Sequence, residues 1–573
     1  MQKVAAELTM QRRGAEAAPL AQALEGLEPR IARTPASLPE RGTLERLTDG
    51  QLALVISAGL FLLAAWPLVL VRVPPFQDLP NHLATIAVLQ HPDRYPEFVF
   101  NGFFKTNSAL FTWLLFVGRL TGTVTAARLF ALLVLALGAV AYPRFVLSFG
   151  GRSKMVVSAF FVWPMVHNWF VSMGMLDFAL GVPLATLLLV LANDQRQRPN
   201  VRRGAVLAAL AVLTWHAHVF PLLVAELIVL LHVATRPTWR ERAAQARALA
   251  LPLVPASALV VRSLAIHFTE PVGAMTGYVS LGRLLPPWEL FYNMWAEWFY
   301  GFTWLELSTL VPCLALGLWA LYRWRDDVPM LGPLPFVAVS ALYFFSPYVA
   351  TNWFHVNSRF VPFFWLFALV RLPDRVPPRL LHALAACALA YTTGMGVDYV
   401  RLERDWSRFT AGIAVVPEGA RLLPLIFKSK GTSENTRSLL HAWGFYVVEK
   451  HTSAPLLFAH SRSFPVMYRE PPPAQFNHLV LESFAPNMAA PAWECGILRS
   501  GGLSLDDCDG NWRRRWAAFW RQAQPAFDHV LLWGAPREVV GLVPAAYHVA
   551  FQQGELTILE RPADESPAVS RRE

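Results

Sequence analysis

The stretch PPFQDLPNHLATIAVLQHPDRYPEF, residues 74–98, directly follows the apolar run 51–71. The two prolines that open it cannot continue a helix, so they end the apolar run. Asp78 is well placed to cap a new helix that begins near Pro80, because Asp favours the N-cap and Pro the first turn. His82 follows Asp78 by four residues, so both side chains can address one site. From spacing alone, Asp78 could equally be only a helix cap and His82 only a packing residue.

The composition is that of a membrane protein. The chain is 54% hydrophobic and 16% charged, with a mean hydropathy of +0.36, whereas globular chains carry about 25% charged residues. Apolar runs long enough to cross a hydrocarbon core of about 30 Å recur from Gln51 to Val400, and none follows. The formal charge of +10 does not indicate nucleic-acid binding, because the arginines lie between apolar runs rather than along one soluble face.

Three regions follow from this pattern. Residues 1–50 are expected to be a poorly ordered cytoplasmic segment, residues 51–400 a transmembrane domain with an outer loop at 72–123, and residues 401–573 a soluble tail. The first apolar run is too long and begins too late for a cleaved signal peptide, so we expect a retained anchor. The predicted fold class is therefore mainly α, a polytopic bundle of transmembrane helices followed by a C-terminal soluble α/β domain.

The orientation follows from the arginines. About eleven spans are predicted, at 51–71, 124–147, 155–172, 176–192, 204–217, 219–235, 248–266, 305–321, 331–349, 359–371 and 380–397. Residues 108–120 could cross the membrane or could form a half-inserted helix, and the choice reverses the orientation of every later span. If they do not cross, the loops on the N-terminal side hold fifteen Lys and Arg residues, against only Arg283 and Arg359 in the opposite loops after residue 124. The positive-inside rule then places the N-terminus in the cytoplasm and the tail outside.

The cysteines provide a further expectation. Cys313 and Cys387 fall in predicted spans, which leaves Cys495 and Cys508 together in the tail. An oxidising compartment favours pairing of these two thiols. We predict a disulfide between them, and the alternative is a pair of unbonded buried thiols.

Polar side chains beyond the first loop also collect at the predicted outer face, and such groups are informative because they are costly near a bilayer. The candidates are Asp177, His216, His218, Glu289 and His355. His216 and His218 are a weak metal pair, because a helix directs side chains two residues apart about 200° from each other. Packing at the outer face is their alternative role. Glu289 belongs to an amphipathic, tryptophan-rich segment that could stack on sugars or simply anchor the chain at the interface.

Arg359, within TNWFHVNSRFVPFF, opens a late predicted span just inside the outer boundary. A guanidinium at that depth calls for an anion, which its planar fork can bind bidentately. The sequence leaves two partners open, a carboxylate of the protein or the phosphate of a ligand.

Taken together, these features resemble the GT-C superfamily of membrane glycosyltransferases, which includes protein O-mannosyltransferases, oligosaccharyltransferases and aminoarabinose transferases. The resemblance rests on the Asp of QDLPNHLA just after the first span, a half-inserted helix before the second span, and the Arg-aromatic-x-Pro start of a late span in SRFVP. An outer soluble tail completes it. As architecture, the resemblance covers about residues 51–400.

The resemblance implies an inverting transfer of a sugar from a polyprenyl-phosphate-linked donor to an unknown acceptor of the cell envelope, on the extracytoplasmic side. It implies Asp78 as the general base with His82 beside it, and Arg359 with Lys105 on the donor phosphate. Further substrate contacts are expected from Asn81, Asp177, His216, His218, Glu289 and His355. Many relatives carry an acidic pair in the first loop, where this chain has Gln77 and His82, so no metal ligand is assigned and a divalent metal stays an open expectation.

The tail holds short apolar runs bounded by turn residues, namely ARLLPLIF, GFYVVEK, FDHVLLWG and GELTILER, with helical patterns between them. No catalytic set of its own is evident, so we expect the tail to cover the site or contact the acceptor. Two other functions stay open. One is a transporter or flippase for lipid-linked sugars, which requires a polar path through the bilayer. The other is a catalytically silent relative that serves in envelope assembly.

Overall fold

The protein is described here from a computed structural model. The described residues are 46–269, 284–297, 314–315, 317–319, 322, 328–350, 353–430, 436–453, 455–470, 472–476, 478–482 and 512–562. Most of the predicted segment 1–50, most of the predicted span 305–321, and both Cys495 and Cys508 lie outside this set. The predicted disulfide therefore stays a prediction.

The described chain is mainly helical, and several of its helices suit a membrane. Within it, five helices are long and apolar enough to cross a bilayer by length and composition: Asp49–Val69, Thr123–Ser158, Leu176–Gln197, Trp239–Ile266 and Pro378–Val415. Shorter apolar helices are Ala109–Thr121, Val219–Ala234 and Pro333–Phe345. The total of about eleven spans stays a prediction.

The described helices are labelled in chain order. They are α1 (Asp49–Val69), α2 (Leu79–Gln90), α3 (Ala109–Thr121), α4 (Thr123–Ser158), α5 (Trp163–Val166), α6 (Trp169–Met173), α7 (Leu176–Gln197), α8 (Val201–Ala217), α9 (Val219–Ala234), α10 (Trp239–Gln245), α11 (Leu251–Thr269), α12 (Pro287–Ala296), α13 (Pro333–Phe345), α14 (Val361–Leu369), α15 (Pro378–Phe409), α16 (Gly444–Lys450), α17 (His478–Glu482), α18 (Trp512–Ala526) and α19 (Arg537–Val540). Helix α2 begins where the sequence predicted a helix near Pro80. Helix α3 has 13 residues, fewer than the roughly 20 that a perpendicular crossing needs, as a half-inserted helix would.

The prediction of a helical span over 155–172 is wrong. Helix α4 runs on to Ser158 with a break at Gly151, whose φ of 85° is left-handed, and only the short helices α5 and α6 follow. Hydropathy registered the apolar residues but not these breaks. The broken segment is buried within the protein, which is where irregular backbone at membrane depth is tolerated. His167 fixes it by donating from Nδ1 to the carbonyl of Ala64 at 2.8 Å, while its Nε2 accepts from the Tyr399 hydroxyl at 2.8 Å.

The tail contains a four-stranded mixed sheet. Its strands are β4 (Leu422–Ile426), β6 (His529–Trp533), β7 (His548–Gln553) and β8 (Leu556–Glu560), in the order β4-β6-β8-β7 with only the first pair parallel. Three of the four quoted apolar runs form strands of this sheet, and GFYVVEK forms helix α16. A run of that length is ambiguous between strand and helix by pattern alone.

The tail is not set apart from the transmembrane region by a break in the chain. Helix α15 continues through residue 400, and residues 53–573 form one compact unit. The predicted boundary at 400/401 thus lies inside helix α15. The division into a transmembrane domain, residues 51–400, and a soluble domain, residues 401–573, stays a prediction.

The outer loop and the tail are joined by backbone pairing. Strand β1 (Phe98–Phe100) pairs antiparallel with β5 (Val466–Tyr468), while β2 (Val349–Ala350) and β3 (Trp353–Phe354) form a separate hairpin. Near β1, Asn101 donates from its amide to the carbonyls of Arg462 and Phe464, at 2.9 and 2.8 Å. The outer loop is therefore held by the tail.

Asn81 is the most buried of these links. Its amide donates to the carbonyl of Leu456 at 3.0 Å and its carbonyl accepts from the N–H of Phe458 at 3.1 Å, and the residue is 0% exposed. Beside it, Gly444 lies so close to α2 that an added Cβ would be 2.2 Å from the Pro80 carbonyl oxygen. Helix α16 can approach α2 this closely only because residue 444 has no side chain.

We predict that Asn81→Ala loosens the tail from the outer loop. The substitution leaves a buried carbonyl and a buried N–H without their partner, which costs about 2–4 kcal/mol. Hydrogen exchange of the detergent-solubilised protein should rise in residues 455–468. Asn200→Ala removes an exposed N-cap of α8 and should leave that exchange unchanged. Equal exchange in the two variants would contradict the prediction.

Candidate functional site

Asp78 lies at the start of α2 with its carboxylate outside the helix cap. It occupies the N-cap position, yet its side chain makes no capping hydrogen bond. Oδ1 accepts from Gln77 Nε2 at 3.3 Å and lies 3.4 Å from His441 Nε2. The side chain of Asp78 remains 14% exposed, so it can be reached by a substrate. The purely capping role that the sequence left open does not describe this carboxylate.

The backbone around Asp78 is fixed from the neighbouring broken segment. The N–H of Asp78 donates to the carbonyl of Met173 at 3.0 Å. Gly174 has a left-handed φ of 86°, and an added Cβ there would lie 3.0 Å from Asp78 Cβ. Glycine is thus required at 174 by both its conformation and its space.

His82 is a buried, neutral imidazole next to Asp78. Its Nε2 donates to the carbonyl of Gly174 at 3.3 Å, and its ring packs edge-on against Phe111 and Phe458. Burial lowers the pKa of His82 to about 4, against the opposing pull of the Asp78 carboxylate. At neutral pH this ring therefore carries no charge, and its Nδ1 has no hydrogen-bond partner among the described residues.

The tail contributes polar side chains that the sequence reasoning did not identify. His441 lies at Asp78, the Phe458 ring packs against His441 at 5.0 Å, and His460 stacks on His478 at 3.9 Å. Burial lowers the pKa of His460 to about 4 and that of His478 well below its usual range. Burial also raises the pKa of Glu482, near His441 and Asp78. The signal available in the sequence was the recurrence of histidine at 441, 460 and 478.

Arg359 is half-buried and has no salt bridge to a carboxylate within the described ranges. Its guanidinium stacks on the rings of Phe178 and Phe220, at 5.7 and 5.2 Å from the ring centroids. Nη2 donates to the carbonyl of Phe354 at 3.3 Å, Nη1 lies 2.7 Å from His218 Nε2, and Nε has no partner in the described chain. Of the two anions that the sequence left open, a protein carboxylate does not form a salt bridge with this cation within the described residues, although the Glu297 carboxylate is close enough to interact with it electrostatically.

His218 cannot satisfy all of its neighbours at once. Its Nδ1 faces the N–H of Phe220 at 3.2 Å and its Nε2 faces Arg359 Nη1 at 2.7 Å, so both ring nitrogens face donors. A neutral imidazole has a single acceptor nitrogen. One of the two contacts is therefore not a hydrogen bond, and Arg359 retains donor capacity for an anionic oxygen.

Glu297, Tyr348 and His355 form a second polar group close to Arg359. His355 Nδ1 lies 2.9 Å from Glu297 Oε1 and 2.6 Å from the Tyr348 hydroxyl. His355 has a left-handed φ of 58°, a strained conformation for a residue with a side chain. Its ring packs edge-on on Trp169 at 4.8 Å. Sequence reasoning did not select Glu297 as a candidate site residue.

The short helix α6 connects the two groups. Met173 at its end accepts from the N–H of Asp78, while Trp169 at its start contacts His355. A helix of five residues is about 7.5 Å long. The Asp78 group and the His355 group are therefore linked through the two ends of one short helix.

Several predicted site residues have structural partners instead. Lys105 Nζ donates to the carbonyls of Arg462 and Phe464 at 2.9 and 3.2 Å, which ties the outer loop to the tail. Asp177 Oδ1 accepts from the N–H of Leu110 at 2.8 Å, so it caps α3 from outside that helix. These contacts account for both residues, and their proposed ligand contacts stay predictions.

His216, Asn81 and Glu289 are likewise placed by other contacts. His216 donates from Nδ1 to the carbonyl of Lys105 at 3.0 Å and its Nε2 lies 3.3 Å from Thr112 Oγ1. Asn81 binds the tail backbone, as described above. Glu289 lies half-buried in α12. Substrate binding by any of these three stays a prediction.

The described residues offer no set of metal ligands. Among them, no group of three or more His, Cys, Asp or Glu side chains is arranged to hold a metal ion. A divalent metal therefore stays an open expectation, and the chemistry below uses only side chains of this chain.

Comparison with known proteins identifies the fold. No protein-family model and no curated protein match the chain. Solved structures do match: ArnT from Cupriavidus metallidurans bound to undecaprenyl phosphate has a TM-score of 0.50 at 12% identity, with 90% of this chain and 98% of that chain covered. Its apo state has the same TM-score and coverage at 13% identity. Arabinofuranosyltransferase AftD from Mycobacteria has a TM-score of 0.46 at 15% identity, over 90% of this chain and 42% of that one.

The likeness to ArnT shows that this chain shares the fold of that protein. The fold that the sequence resemblance implied is therefore confirmed. At 12–13% identity, the likeness is one of fold, and the chemistry has to be argued from the side chains.

We predict that acidification weakens the contact between outer loop and tail. His82 and His460 have a folded pKa of about 4, against about 6.5 when unfolded. The unfolded form therefore binds more protons, and stability is full above pH 6.5 and falls toward pH 4, by about 2 kcal/mol per histidine at pH 5. Glu482 acts in the opposite direction, because its raised pKa favours the folded state at low pH.

The contribution of a single ring is isolated by His460→Phe, which keeps an aromatic ring against His478. Thermal unfolding is measured in detergent at pH 7.5 and pH 5. The loss of stability between these two pH values should be smaller in this variant than in the wild type. His548→Phe, at an exposed position on β7, serves as control and should keep the wild-type loss. If His460→Phe loses as much stability on acidification as the wild type, the contribution assigned to the His460 ring is contradicted.

Proposed function

We propose that this chain is a membrane glycosyltransferase that moves a sugar from a polyprenyl-phosphate-linked donor to an acceptor on the extracytoplasmic side. The observations that carry the proposal are a reachable carboxylate, Asp78, and a half-buried guanidinium, Arg359, that forms no salt bridge within the described residues. The GT-C fold supports it, since ArnT, which shares that fold, binds undecaprenyl phosphate.

Asp78 acts as the base. The acceptor's hydroxyl oxygen attacks the anomeric carbon of the sugar while the Asp78 carboxylate takes up the hydroxyl proton. The bond between that carbon and the phosphate oxygen breaks, and the polyprenyl phosphate leaves with the electron pair. A single displacement of this kind inverts the anomeric configuration. It needs a carboxylate at the attacking oxygen and a cation at the departing phosphate.

Arg359 binds the departing phosphate. Its guanidinium retains donors at Nε and Nη1, because His218 cannot accept from it and from Phe220 together. The flanking rings of Phe178 and Phe220 orient the guanidinium plane and exclude water, which strengthens its interaction with an anion. The asymmetric distribution of arginines supports an outer location of the site.

We predict that Asp78→Asn lowers sugar transfer by at least about 1000-fold, because the amide cannot accept the acceptor's proton. Turnover is measured in membranes with a polyprenyl-phosphate-linked donor, and protein levels are compared by blotting. Asp93→Asn, an exposed aspartate of the same loop, is the matched control and should keep wild-type turnover. Wild-type turnover in Asp78→Asn would overturn the role of Asp78. Passage of the donor across the bilayer without product would instead favour the flippase alternative.

We predict that Arg359→Gln weakens binding of undecaprenyl phosphate by roughly 10- to 100-fold, the loss of a charge-assisted hydrogen bond. Arg359→Lys should restore only part of the affinity, because an ammonium cannot form the bidentate contact. Binding to the purified protein is followed by native mass spectrometry. Arg401→Gln, at an exposed position on α15, controls for net charge. Equal affinity in wild type and Arg359→Gln would contradict the role of Arg359 in phosphate binding.

A further inference from the structure

We infer that His441, supplied by the tail, is a positioning residue that holds the Asp78 carboxylate for proton uptake. The inference rests on the proposed function, in which Asp78 is the base. It assigns to the tail a part in the reaction, beyond covering the site.

The contact is direct and buried. His441 Nε2 lies 3.4 Å from Asp78 Oδ1, and the His441 side chain is 2% exposed. Its ring is held by the edge-on contact with Phe458. His441 Nδ1 has no hydrogen-bond partner in the part of the chain that the structure describes. Among the described carboxylates, Asp78 lies within salt-bridge distance of the ring, and Glu482 also interacts with it electrostatically.

The tail reaches Asp78 in a fixed register. The N–H of Arg437 donates to Gln77 Oε1 at 2.7 Å, and Gln77 Nε2 in turn donates to Asp78. Asn81, in the first turn of α2, binds the backbone at Leu456 and Phe458. The tail is thus hydrogen-bonded to the start of α2 both before His441, at Arg437, and after it, at Leu456 and Phe458. These bonds fix the position of the tail along α2 and bring the His441 imidazole to Asp78.

A positioning group is needed because the backbone alone does not fix the carboxylate. Asp78 makes no capping bond with α2, so only side-chain donors limit its rotation. The His441 imidazole, with Nε2 3.4 Å from Asp78 Oδ1, limits the orientations open to the carboxylate and so holds it for proton uptake. Among the described residues, the other charged or titratable groups that face this pair are His82, Arg437, His478 and Glu482. Two side-chain nitrogens lie close to Asp78 Oδ1, those of the neutral Gln77 amide at 3.3 Å and of His441 at 3.4 Å.

Three substitutions at His441 test the inference in the membrane turnover assay. Glutamine places an N–H close to the position of Nε2, asparagine places it nearer to Nδ1, and leucine removes it. We expect His441→Gln to stay within about fivefold of wild-type kcat, and His441→Asn and His441→Leu to lose roughly 10- to 100-fold. The donor KM should change less than about twofold in all three.

The comparison of glutamine with asparagine remains decisive if leucine prevents folding. Equal kcat in His441→Gln and His441→Asn would overturn the inference. His548→Leu, an exposed histidine on β7, should match the wild type in kcat and donor KM. Asp78→Asn is measured in parallel, so that the proposed function and the role of His441 are tested separately. Retained turnover in Asp78→Asn contradicts the proposed function itself, whereas an inactive Asp78→Asn with wild-type kcat in all His441 variants contradicts only the role of His441.

Discussion

The hydrogen bonds of the buried Asn81 amide to the tail backbone are the interaction on which the rest of the site depends. They join residues 375 and 377 positions apart in the chain, at a place where no water is available to replace them. A lost partner there leaves buried polar groups unsatisfied, so the pairing fixes one register of the tail on α2. That register brings His441 to Asp78 and allows Gly444 to pass against Pro80.

The same constraint explains why the site is composite. The first loop supplies Asp78 and His82, the broken segment supplies the carbonyls of Met173 and Gly174 that hold them, and the tail supplies the imidazoles. Arg359 lies across the short helix α6 from Asp78, in an aromatic setting that limits its hydration. In the proposed reaction, this arrangement would supply Asp78 as the base and Arg359 as the cation for the leaving phosphate.

Sequence patterns located the parts of this arrangement that depend on local chemistry. The Pro and Asp signals near Pro80 predicted the start of α2, and hydropathy predicted long helices such as α1 and α7. The GT-C fold was implied by the positions of Asp78 and Arg359 relative to the spans. Each of these features is encoded within a window of a few residues to one helix length, which is the range in which composition and periodicity carry information.

The remaining features depend on partners distant in sequence. Nothing near His441 in the chain indicates that it meets Asp78, 363 residues earlier. The sequence suggested Lys105 and Asp177 as ligand-binding residues because of their charge. In the structure, both side chains form hydrogen bonds with backbone groups of other segments. Hydropathy also missed the interruption at Gly151, because the residues around it are apolar whether or not the helix continues.

The most direct test of the account is the position of a bound lipid phosphate. A cryo-electron microscopy structure of the full chain with undecaprenyl phosphate should place a phosphate oxygen within about 3 Å of the Arg359 guanidinium, facing the side on which Asp78 lies. A phosphate bound away from Arg359, or in a path that leads to the opposite membrane face, would contradict the account.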